Sequence, residues 1–331
     1  MHPRDNRHTE RFYNWHRRYV TPQRLLSHLG IFLFLYVQAS ALPSRTPLPE
    51  GFSADALLRF ADQLLQEGEY FRAITEYQRF MTIYPHDPRR PMAHFRIGLA
   101  FYYGQSYTDA LSTFQDVAQR YRETSYGQQA WLWQGETLLR QAEYPRADLV
   151  YESFIERFPD NADVPFAQYQ LGWTFLYRRQ WHKAAAAWQN IPSTSPLYPA
   201  AQQLAAAAET GPTLPRKSPV LAGTLSGILP GSGQLYNGRF GDAILSFLLN
   251  GLFVAGTVQA AHQGQPAIAG VVGFFAAAWY AGNVYGAVNG AHKHNRHQVE
   301  IFLQDLEQRF RVPVPQNQTS QTLGLQINIG F

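Results

Sequence analysis

The chain has 331 residues, of which 15% are aromatic, and a formal net charge of +4 at pH 7. This length allows two or three domains, and so small a net charge gives no reason to expect nucleic-acid binding. The absence of cysteine excludes disulfides, cysteine nucleophiles and thiolate metal sites.

Residues 1–41 have the pattern of a targeting segment. Six arginines precede an apolar stretch at residues 29–37, and Ala39-Ser40-Ala41 fits the small-x-small rule for signal cleavage. We therefore predict a signal peptide, with an uncleaved N-terminal anchor as the alternative because the basic region is long. Both interpretations place the following residues outside the cytoplasm. Residues 42–53 are predicted to be a linker.

Residues 54–196 contain four copies of a pattern with a fixed period of 37 residues. An alanine, a small residue, an aromatic residue and a large apolar residue recur in each copy. They are Ala73, Ala110, Ala147 and Ala184; Ala61, Gly98, Gly135 and Gly172; Tyr77, Phe114, Tyr151 and Trp188; and Leu64, Phe101, Leu138 and Phe175. Such a period indicates stacked helical hairpins. The small residues are predicted to let the paired helices approach closely.

This pattern resembles the tetratricopeptide repeat (TPR), because the alanine, small and aromatic positions follow that family's order, although the unit is longer than usual. Residues 80–85 and 154–159 are similar to the bacterial-envelope branch of the family. That branch includes the periplasmic coordinator of the Tol-Pal system and the lipoprotein of the barrel assembly machine, and a chain without cysteine cannot be such a lipoprotein. The resemblance implies an all-α solenoid that binds partners. Residues 197–210 are predicted to form a capping helix.

After a linker at residues 211–218, residues 219–291 are predicted to form a membrane domain. Residues 243–292 contain no Lys, Arg, Asp or Glu. Within them, the stretches 243–261 and 266–289 are each long enough to cross ~30 Å of hydrocarbon. This predicts a transmembrane helical hairpin, with a glycine-rich buried hairpin of a soluble protein as the alternative. A third apolar stretch, residues 220–236, either crosses the bilayer or dips in and returns.

Within the third stretch, a P-G-x-G-Q-x-Y signature resembles small bacterial membrane domains of unknown function. It is formed by Pro230, Gly231, Gly233, Gln234 and Tyr236. We interpret it as a turn at the membrane surface with an interfacial tyrosine, with a re-entrant turn presenting polar groups as the alternative. Two rows of glycines at four-residue steps predict close helix packing in lipid and allow a homo-oligomer through this segment. They are Gly223, Gly227 and Gly231, and Gly282, Gly286 and Gly290.

The basic residues around the apolar block bear on topology. Arg216, Lys217, Arg239, Lys293 and Arg296 flank it, whereas the loop at residues 262–265 has no basic residue of this kind. The positive-inside rule puts Arg239 and Lys293 in the cytoplasm and this loop outside. With exported repeats, residues 220–236 would then have to cross the bilayer. If they do not cross, the chain from His292 onward returns to the exported side.

The C-terminal part of the chain has two predicted elements. Residues 292–311 have the apolar spacing of an amphipathic juxtamembrane helix, lying on the membrane surface or on the repeats. Residues 312–331 begin with alternating valine and proline and end with alternating apolar residues up to Phe331. This alternation indicates a short strand that adds to a partner, or a flexible end.

No catalytic constellation is found in the sequence. Pro230 stands where a nucleophile elbow around Ser232 would need glycine. His292, His294 and His297 have no carboxylate among them, which favours a cationic membrane interface over a metal site. We therefore expect no catalytic residue, no metal and no cofactor.

The candidate site is a groove lined by the first helices of the hairpins. It is predicted to contain Phe95, Leu99, Tyr102, Tyr103, Arg140, Phe166, Tyr169, Trp173, Tyr177 and Arg178. Aromatic side chains offer a large contact area, and arginine grips a carboxylate at two points, which suits an extended peptide or a chain terminus. The alternative, given equal weight, is that these aromatics pack between repeats or under the C-terminal domain.

The sequence thus predicts a non-enzymatic, membrane-anchored scaffold of the bacterial cell envelope. Its repeats would be periplasmic and its C-terminal domain would lie in the inner membrane. The expected partners are a protein or peptide and membrane lipid, and no nucleic acid. The alternative is a component of an envelope transport or assembly complex, in which the glycine-rich membrane segment is the active part.

Overall fold

The structure, a computed structural model, describes residues 53–315. The predicted targeting segment at residues 1–41, almost all of the following linker and the predicted strand near the C-terminus lie outside the described residues. From Leu58 onward the chain belongs to one compact unit.

Between residues 53 and 315 the chain is helical and contains no β-strand. Four consecutive helical hairpins are followed by a single helix, α9. The hairpins are α1 (Ala54–Gln66) with α2 (Tyr70–Ile83), α3 (Arg90–Tyr103) with α4 (Tyr107–Arg120), α5 (Ser125–Arg140) with α6 (Tyr144–Arg157), and α7 (Val164–Tyr177) with α8 (Trp181–Gln189); α9 is Tyr198–Thr210. The predicted all-α class with stacked helical repeats is confirmed.

One contact between the two helices of a hairpin explains much of the period. A Cβ atom on Gly98 would lie 2.5 Å from the ring of Phe114. In the next two copies, a Cβ on Gly135 would overlap the ring of Tyr151, and one on Gly172 would overlap the indole of Trp188. The aromatic residue of each copy is fully buried. The small residue on the first helix therefore makes room for the aromatic ring on the second.

The turns inside the hairpins repeat as well. The second residue after each first helix has a left-handed backbone, and only one of the four is a glycine. They are Gly68 (φ 79°), Gln105 (62°), Ala142 (57°) and Arg179 (58°). The next amide donates to the carbonyl of the large apolar residue of the same copy, for example from Glu143 to Leu138 at 2.9 Å. This bond satisfies a carbonyl in the last turn of the first helix. The repeating pattern therefore specifies both the packing between the two helices and the turn that joins them.

The C-terminal bundle consists of four helices after a linker. They are α10 (Pro219–Ile228), α11 (Ser232–Tyr236), α12 (Phe240–His262) and α13 (Pro266–Phe310). The second apolar stretch and the amphipathic helix, expected as separate elements, are one continuous helix of 45 residues. Nothing interrupts it because its only proline is at the first position, where the ring is tolerated. At 1.5 Å per residue, α13 is about 68 Å long.

Large apolar side chains cover the outside of this bundle. By length and composition, α12 and α13 are both suited to cross a membrane. In the most apolar 18-residue window of each, 22% of residues are buried in α12 and none in α13. Leu252 and Phe274, for example, are 69% and 71% exposed. The core helix of a soluble protein would instead be mostly buried, so this surface needs a cover that the rest of the described chain does not provide.

Candidate functional site

The first helices α3, α5 and α7 carry the predicted groove, and its centre is a buried carboxylate. Glu136 on α5 is 5% exposed. The Tyr102 hydroxyl on α3 donates to Glu136 Oε1 at 3.2 Å. Arg140 Nε, one turn after Glu136, donates to the same carboxylate oxygen at 3.1 Å and to the Tyr102 hydroxyl at 2.9 Å. We use the name groove for the surface formed by Tyr102, Glu136, Arg140, Tyr169, Gln170, Trp173 and Tyr177.

The groove is occupied by the chain's own C-terminal segment, residues 310–315. Helix α13 ends at Phe310 because Arg311 takes an extended backbone, with φ −69° and ψ 126°. Arg311 Nη2 lies 3.2 Å from Glu136 Oε2, and Arg311 Nη1 donates to Gln170 Oε1 at 2.8 Å. The guanidinium carbon also lies 5.8 Å from the ring centre of Trp173. One arginine is thus held by an ion pair, an amide and an aromatic face.

The groove also contacts the backbone of this segment. The Tyr169 hydroxyl donates to the carbonyl of Phe310, and Gln170 Nε2 donates to the carbonyl of Val312 at 3.4 Å. Val314, two residues further on, is 6% exposed. Side-chain donors to the backbone, together with pockets for selected side chains, are how a protein binds an extended peptide.

The second half of α13 leads the segment into the groove. Val299 and Leu306 are buried in the same apolar cluster as the repeats. The ring centre of Phe302 lies 6.0 Å from that of Trp181 on α8, in an edge-on arrangement. Of the two locations expected for this amphipathic part, the structure places it on the repeats.

Burial and charge keep the polar groups of the groove in one protonation state. Burial alone would lower the pKa of Arg311, but Glu136, Tyr177 and Tyr151 together outweigh it and the pKa is raised. Burial raises the pKa of the Tyr102 hydroxyl well above its usual value, and Glu136 adds to this. Burial raises the pKa of Tyr169 to about 12. At neutral pH both hydroxyls therefore remain donors and Arg311 remains a cation.

Half of the predicted groove residues meet at this centre. Tyr102, Arg140, Tyr169, Trp173 and Tyr177 all face Glu136 or the C-terminal segment. Tyr177 also stacks on Tyr144, with ring centres 4.9 Å apart, and Glu307 of α13 lies beside its hydroxyl.

The other predicted residues serve packing or other pairs. Phe95, Leu99 and Phe166 are buried in the core of the repeats, and the ring of Phe95 lies 5.7 Å from that of Phe114. Tyr103 lies near the turn of the preceding hairpin, 6.2 Å from the ring of Tyr70. In this structure these aromatics therefore pack as the alternative has it, some between repeats and some under the C-terminal segment, and the binding of a partner by the groove stays a prediction.

The two arginines expected to hold a partner's carboxylate already have acidic partners. Arg140 is bound to Glu136, and Arg178 is paired with Asp148 of α6. The physical reason is that the third hairpin supplies a carboxylate within reach of each arginine, Glu136 on α5 and Asp148 on α6. The net preference of the groove is therefore for a cation, since the carboxylate of Glu136 receives Arg311 from the C-terminal segment.

Sequence reasoning missed Glu136, Gln170 and Arg311. Glu136 had a detectable signal, because it lies 37 residues after Leu99 and 37 before Trp173, two positions assigned to the groove. The first copy has Asp62 at the same phase, so this position alternates between carboxylate and apolar residues, and its carboxylates mark candidate sites. Arg311 gave no such signal, since its role depends on the path of α13.

The glycine motif of the C-terminal bundle forms a tight turn. Leu229, before Pro230, is extended, so α10 ends at Ile228. Gly231 has φ 93°, and a Cβ there would overlap the carbonyl of Ala243. A Cβ on Gly233 would overlap the carbonyl of Ala222. At both positions a side chain would collide with backbone atoms, so only glycine fits.

The polar residues of this motif point into the bundle. Gln234 Oε1 accepts from Ser226 Oγ at 2.8 Å, and Gln234 Nε2 donates to the carbonyl of Asn283 at 2.9 Å. Asn283 Oδ1 in turn accepts from Ser246 Oγ of α12 at 2.9 Å. Asn237 Nδ2 donates to the carbonyl of Ala287 at 2.7 Å. This network links α10, α11, α12 and α13.

The segment before α12 ends close to where it begins. The Tyr236 hydroxyl, at the end of α11, accepts from the amide of Ser218 at 3.0 Å. Helix α10 has ten residues, or about 15 Å, half of a hydrocarbon core. In the structure, residues 219–236 therefore run away from the linker and turn back, so that the two ends of the segment lie close together.

The glycine rows contribute unequally to packing within the chain. A Cβ added to Gly223 would lie 2.7 Å from Val288, and one added to Gly290 would lie 2.8 Å from Asn237. A Cβ added to Gly286 would have only Gln234 nearby, at 3.9 Å, whereas one added to Gly227 or Gly282 would meet no atom within 4 Å. Gly223, Gly227 and Gly231 do not form one helix face, because α10 ends before Gly231.

The histidines after the apolar stretch, His292, His294 and His297, lie on α13. Among residues 53–315, no group of three His, Cys, Asp or Glu side chains is arranged to hold a metal ion.

Stacked helical hairpins define a helical-repeat protein. A family model for the tetratricopeptide repeat matches residues 55–87, 92–124 and 129–161. These matches fall on the first three hairpins, so the chain carries TPR repeats, and this part of the resemblance is confirmed. A search of curated proteins found no match.

Several solved structures are similar to this chain. A double mutant of MamA RS-1 ArsTM shares 20% identity over 49% of this chain and 94% of its own, with a TM-score of 0.37. A tetratricopeptide repeat protein from Parabacteroides merdae shares 10% identity over 82% of this chain and 96% of its own, with a TM-score of 0.39. The apo form of RapI shares 10% identity over 85% of this chain and 96% of its own, with a TM-score of 0.38.

Proposed function

We propose that this protein is a membrane-anchored, non-enzymatic TPR scaffold of the bacterial cell envelope, which binds a protein or peptide partner through the groove. The observation that carries this proposal is the chain's own segment at residues 310–315, which occupies the groove as a bound peptide would. An arginine enters between Glu136, Gln170 and Trp173, and two backbone carbonyls receive side-chain donors.

The chemistry of the groove defines the partner. The partner segment is extended, carries an arginine, and has apolar residues after it, because those features match the contacts made by Arg311 and Val314. Such a partner competes with the C-terminal segment for one site. A partner must therefore bind the groove more tightly than the C-terminal segment does.

The exposed apolar surface supports the membrane anchor. Helices α12 and α13 expose large side chains along most of their apolar length, and each is long enough to cross the hydrocarbon core. Lipid is the cover that suits this surface. Because α13 continues from the bundle into the groove, a single helix joins the anchor to the binding site.

Two sequence signals disagree about the side of the membrane. Since residues 219–236 return, the repeats lie on the same side as Arg216, Arg239 and Lys293, and the positive-inside rule would make that side cytoplasmic. The targeting segment at residues 1–41 favours the exported side. We propose periplasmic repeats and an inner-membrane anchor, because the first segment to be inserted usually dominates orientation.

The alternative, in which the glycine-rich bundle handles a substrate, has less support. Gln234 and Asn283 are both buried. Gln234 donates to the backbone of α13, and the side chain of Asn283 accepts from Ser246 of α12. Most polar atoms of this network are paired inside the chain, and Asn237 Oδ1 and Asn283 Nδ2 are the ones without a partner among the described residues. Such a network stabilises the bundle and leaves few polar groups for a passing substrate.

Peptide binding tests the proposed function. The chain truncated after Arg309 should bind a labelled peptide of residues 310–315, whereas the full-length chain, whose groove is filled, should bind it much more weakly. A peptide with Arg311→Ala is the control and should lose binding. Equal binding of both peptides, or none to the truncated chain, would contradict the proposal.

Reporter fusions test the topology. Reporters after residues 210 and 331 should lie on one side of the membrane, and a reporter after residue 264 on the other. The two sequence signals then make opposite predictions for residue 210, periplasmic under our proposal. A reporter pattern that separates residues 210 and 331 would mean that residues 219–236 cross the bilayer.

A further inference from the structure

A basic cavity lies where the repeats, the linker and α13 meet. It has a volume of about 660 Å³ and lies against Trp181 and Val299. Its polar lining comprises Arg179, Arg216, Asn289, His292, Asn295 and Arg296. No carboxylate is among its lining residues, although acidic residues are almost as frequent as basic ones in the chain.

The positive charge in this cavity is uncompensated within residues 53–315. Arg179, Arg216 and Arg296 form no salt bridge there, whereas the largely buried arginines Arg96 and Arg311 pair with Asp62 and Glu136. Like charges brought together without a counter-ion repel one another, so their convergence favours an anion between them.

Two hydrogen bonds of an asparagine side chain and a tight turn hold the cavity in shape. The amide of Lys217 donates to Asn295 Oδ1 at 2.7 Å, and Asn295 Nδ2 donates to the carbonyl of Lys217 at 2.8 Å. These two bonds fix the linker that carries Arg216 against α13. Arg179 occupies the left-handed position of the last hairpin turn, with φ 58°. The cationic groups are therefore presented by three separately anchored elements.

The cavity lies at the level expected for lipid headgroups. The apolar stretch of α13 ends at Asn289, and at 1.5 Å per residue His292 and Arg296 follow about 5 and 10 Å beyond it. The headgroup layer extends roughly 5–7 Å beyond the hydrocarbon on each side, so His292 lies within it and the backbone of Arg296 lies just beyond it. A helical side chain leans toward the N-terminus of its helix, which here is the direction of the membrane. One turn before Asn289, Tyr285 is 72% exposed and continues this face toward the apolar part of the helix.

We propose that this cavity binds the phosphate group of an anionic phospholipid, whose acyl chains lie along the exposed apolar face of α13. Arginine suits this role because its planar fork of donors matches phosphate oxygens at two points. Asn289 provides an amide donor to the same headgroup, and Asn295 holds the linker in place. This inference rests on the proposed membrane anchoring and adds the class of lipid and its site. Free phosphate shares the same chemistry and is separated from lipid by the experiment.

Lipid retention by the full-length protein tests the inference. The protein is purified in detergent, exposed to phosphatidylglycerol, phosphatidylcholine or inorganic phosphate, and examined by native mass spectrometry and thermal unfolding. We expect roughly tenfold stronger retention of phosphatidylglycerol than of phosphatidylcholine, a difference reached by a single charge-assisted contact. Equal retention of the two lipids would overturn the inference. Stabilisation by inorganic phosphate equal to that by phosphatidylglycerol would overturn the assignment to lipid.

Paired variants locate the site. Arg216→Gln with Arg296→Gln should abolish the preference for phosphatidylglycerol. Arg59→Gln with Arg72→Gln removes the same charge from exposed positions of the first hairpin and should keep it. A preference that survives the first pair, or is lost equally in both pairs, contradicts the site. Vesicles of pure phosphatidylcholine test the anchor separately, because both variants should still float with them, and failure to float would count against the proposed function instead.

Discussion

The repeats and the C-terminal bundle both depend on glycine, but glycine meets different neighbours in each. In the repeats, Gly135 makes room for the ring of Tyr151, so backbone packs against an aromatic side chain. In the bundle, Gly231 and Gly233 lie against the carbonyls of Ala243 and Ala222, so backbone packs against backbone. Aromatic filling builds a wide core in water, whereas backbone contact is the way helices associate in lipid, where the hydrophobic effect gives no drive.

The two regions also use their buried polar groups differently. In the bundle, Gln234 bonds within the bundle and closes it. In the repeats, Glu136 and Gln170 bond to a segment that is distant in sequence and could be exchanged for another chain. This difference is why the groove, and not the bundle, is the candidate binding site.

The largest effect is expected from overfilling the repeat contact. Gly135→Leu should destabilise the repeats by about 3 kcal/mol or more, because the Tyr151 ring fills the space that the new side chain needs. Urea unfolding in detergent, followed by circular dichroism, measures it. Gly282→Leu, where no neighbour lies within 4 Å, is the control and should change little. Similar losses in both variants would remove the proposed basis of the period.

The next effect concerns the centre of the groove. Glu136→Gln leaves Arg311 buried without its counter-charge, and we expect the docking of residues 306–315 to weaken by roughly 3 kcal/mol. Hydrogen exchange of this segment should then become faster. Glu143→Gln removes a carboxylate whose side chain is 48% exposed and paired with Arg146, and should leave the exchange unchanged. Unchanged exchange in Glu136→Gln would mean that the ion pair does not hold the segment.

The fold was predictable because its information is local and repeated. The phases of Ala147, Gly135 and Tyr151 are each seen in neighbouring copies, so a single ambiguous position does not matter. The helical hairpins follow from this pattern, and the apolar helices of the C-terminal part follow from composition.

The site was only partly predictable because it joins distant parts of the chain. Tyr102 and Trp173 could be assigned to the groove from the repeat phase, but their contact with residues 310–315 depends on α13 running unbroken from the bundle. The amphipathic pattern after His292 fits a membrane surface as well as the repeats. Only the three-dimensional path of α13 distinguishes the two.

A smaller effect is expected in the bundle. Gln234→Leu removes two hydrogen bonds and leaves Ser226 Oγ without its acceptor, so we expect a loss of about 1–2 kcal/mol. Thermal unfolding in detergent measures it. Gln259→Leu on the exposed face of α12 is the matched control and should be neutral. A neutral Gln234→Leu would mean that backbone packing alone holds the bundle.

The smallest effect tests whether the open glycines have a partner outside the chain. Gly227→Ala adds a methyl group where the chain leaves space, and alanine favours helix over glycine by up to about 1 kcal/mol, so the monomer should be unchanged or slightly more stable. Gly231→Ala should instead destabilise it, since the left-handed backbone and the Ala243 carbonyl both exclude a side chain. If a second copy of the chain packs against Gly227 in lipid, Gly227→Ala should lower the oligomer mass measured in detergent while leaving the helix content unchanged. An unaltered mass would assign that surface to lipid, and the difference between the two glycines would then be one of packing within a single chain.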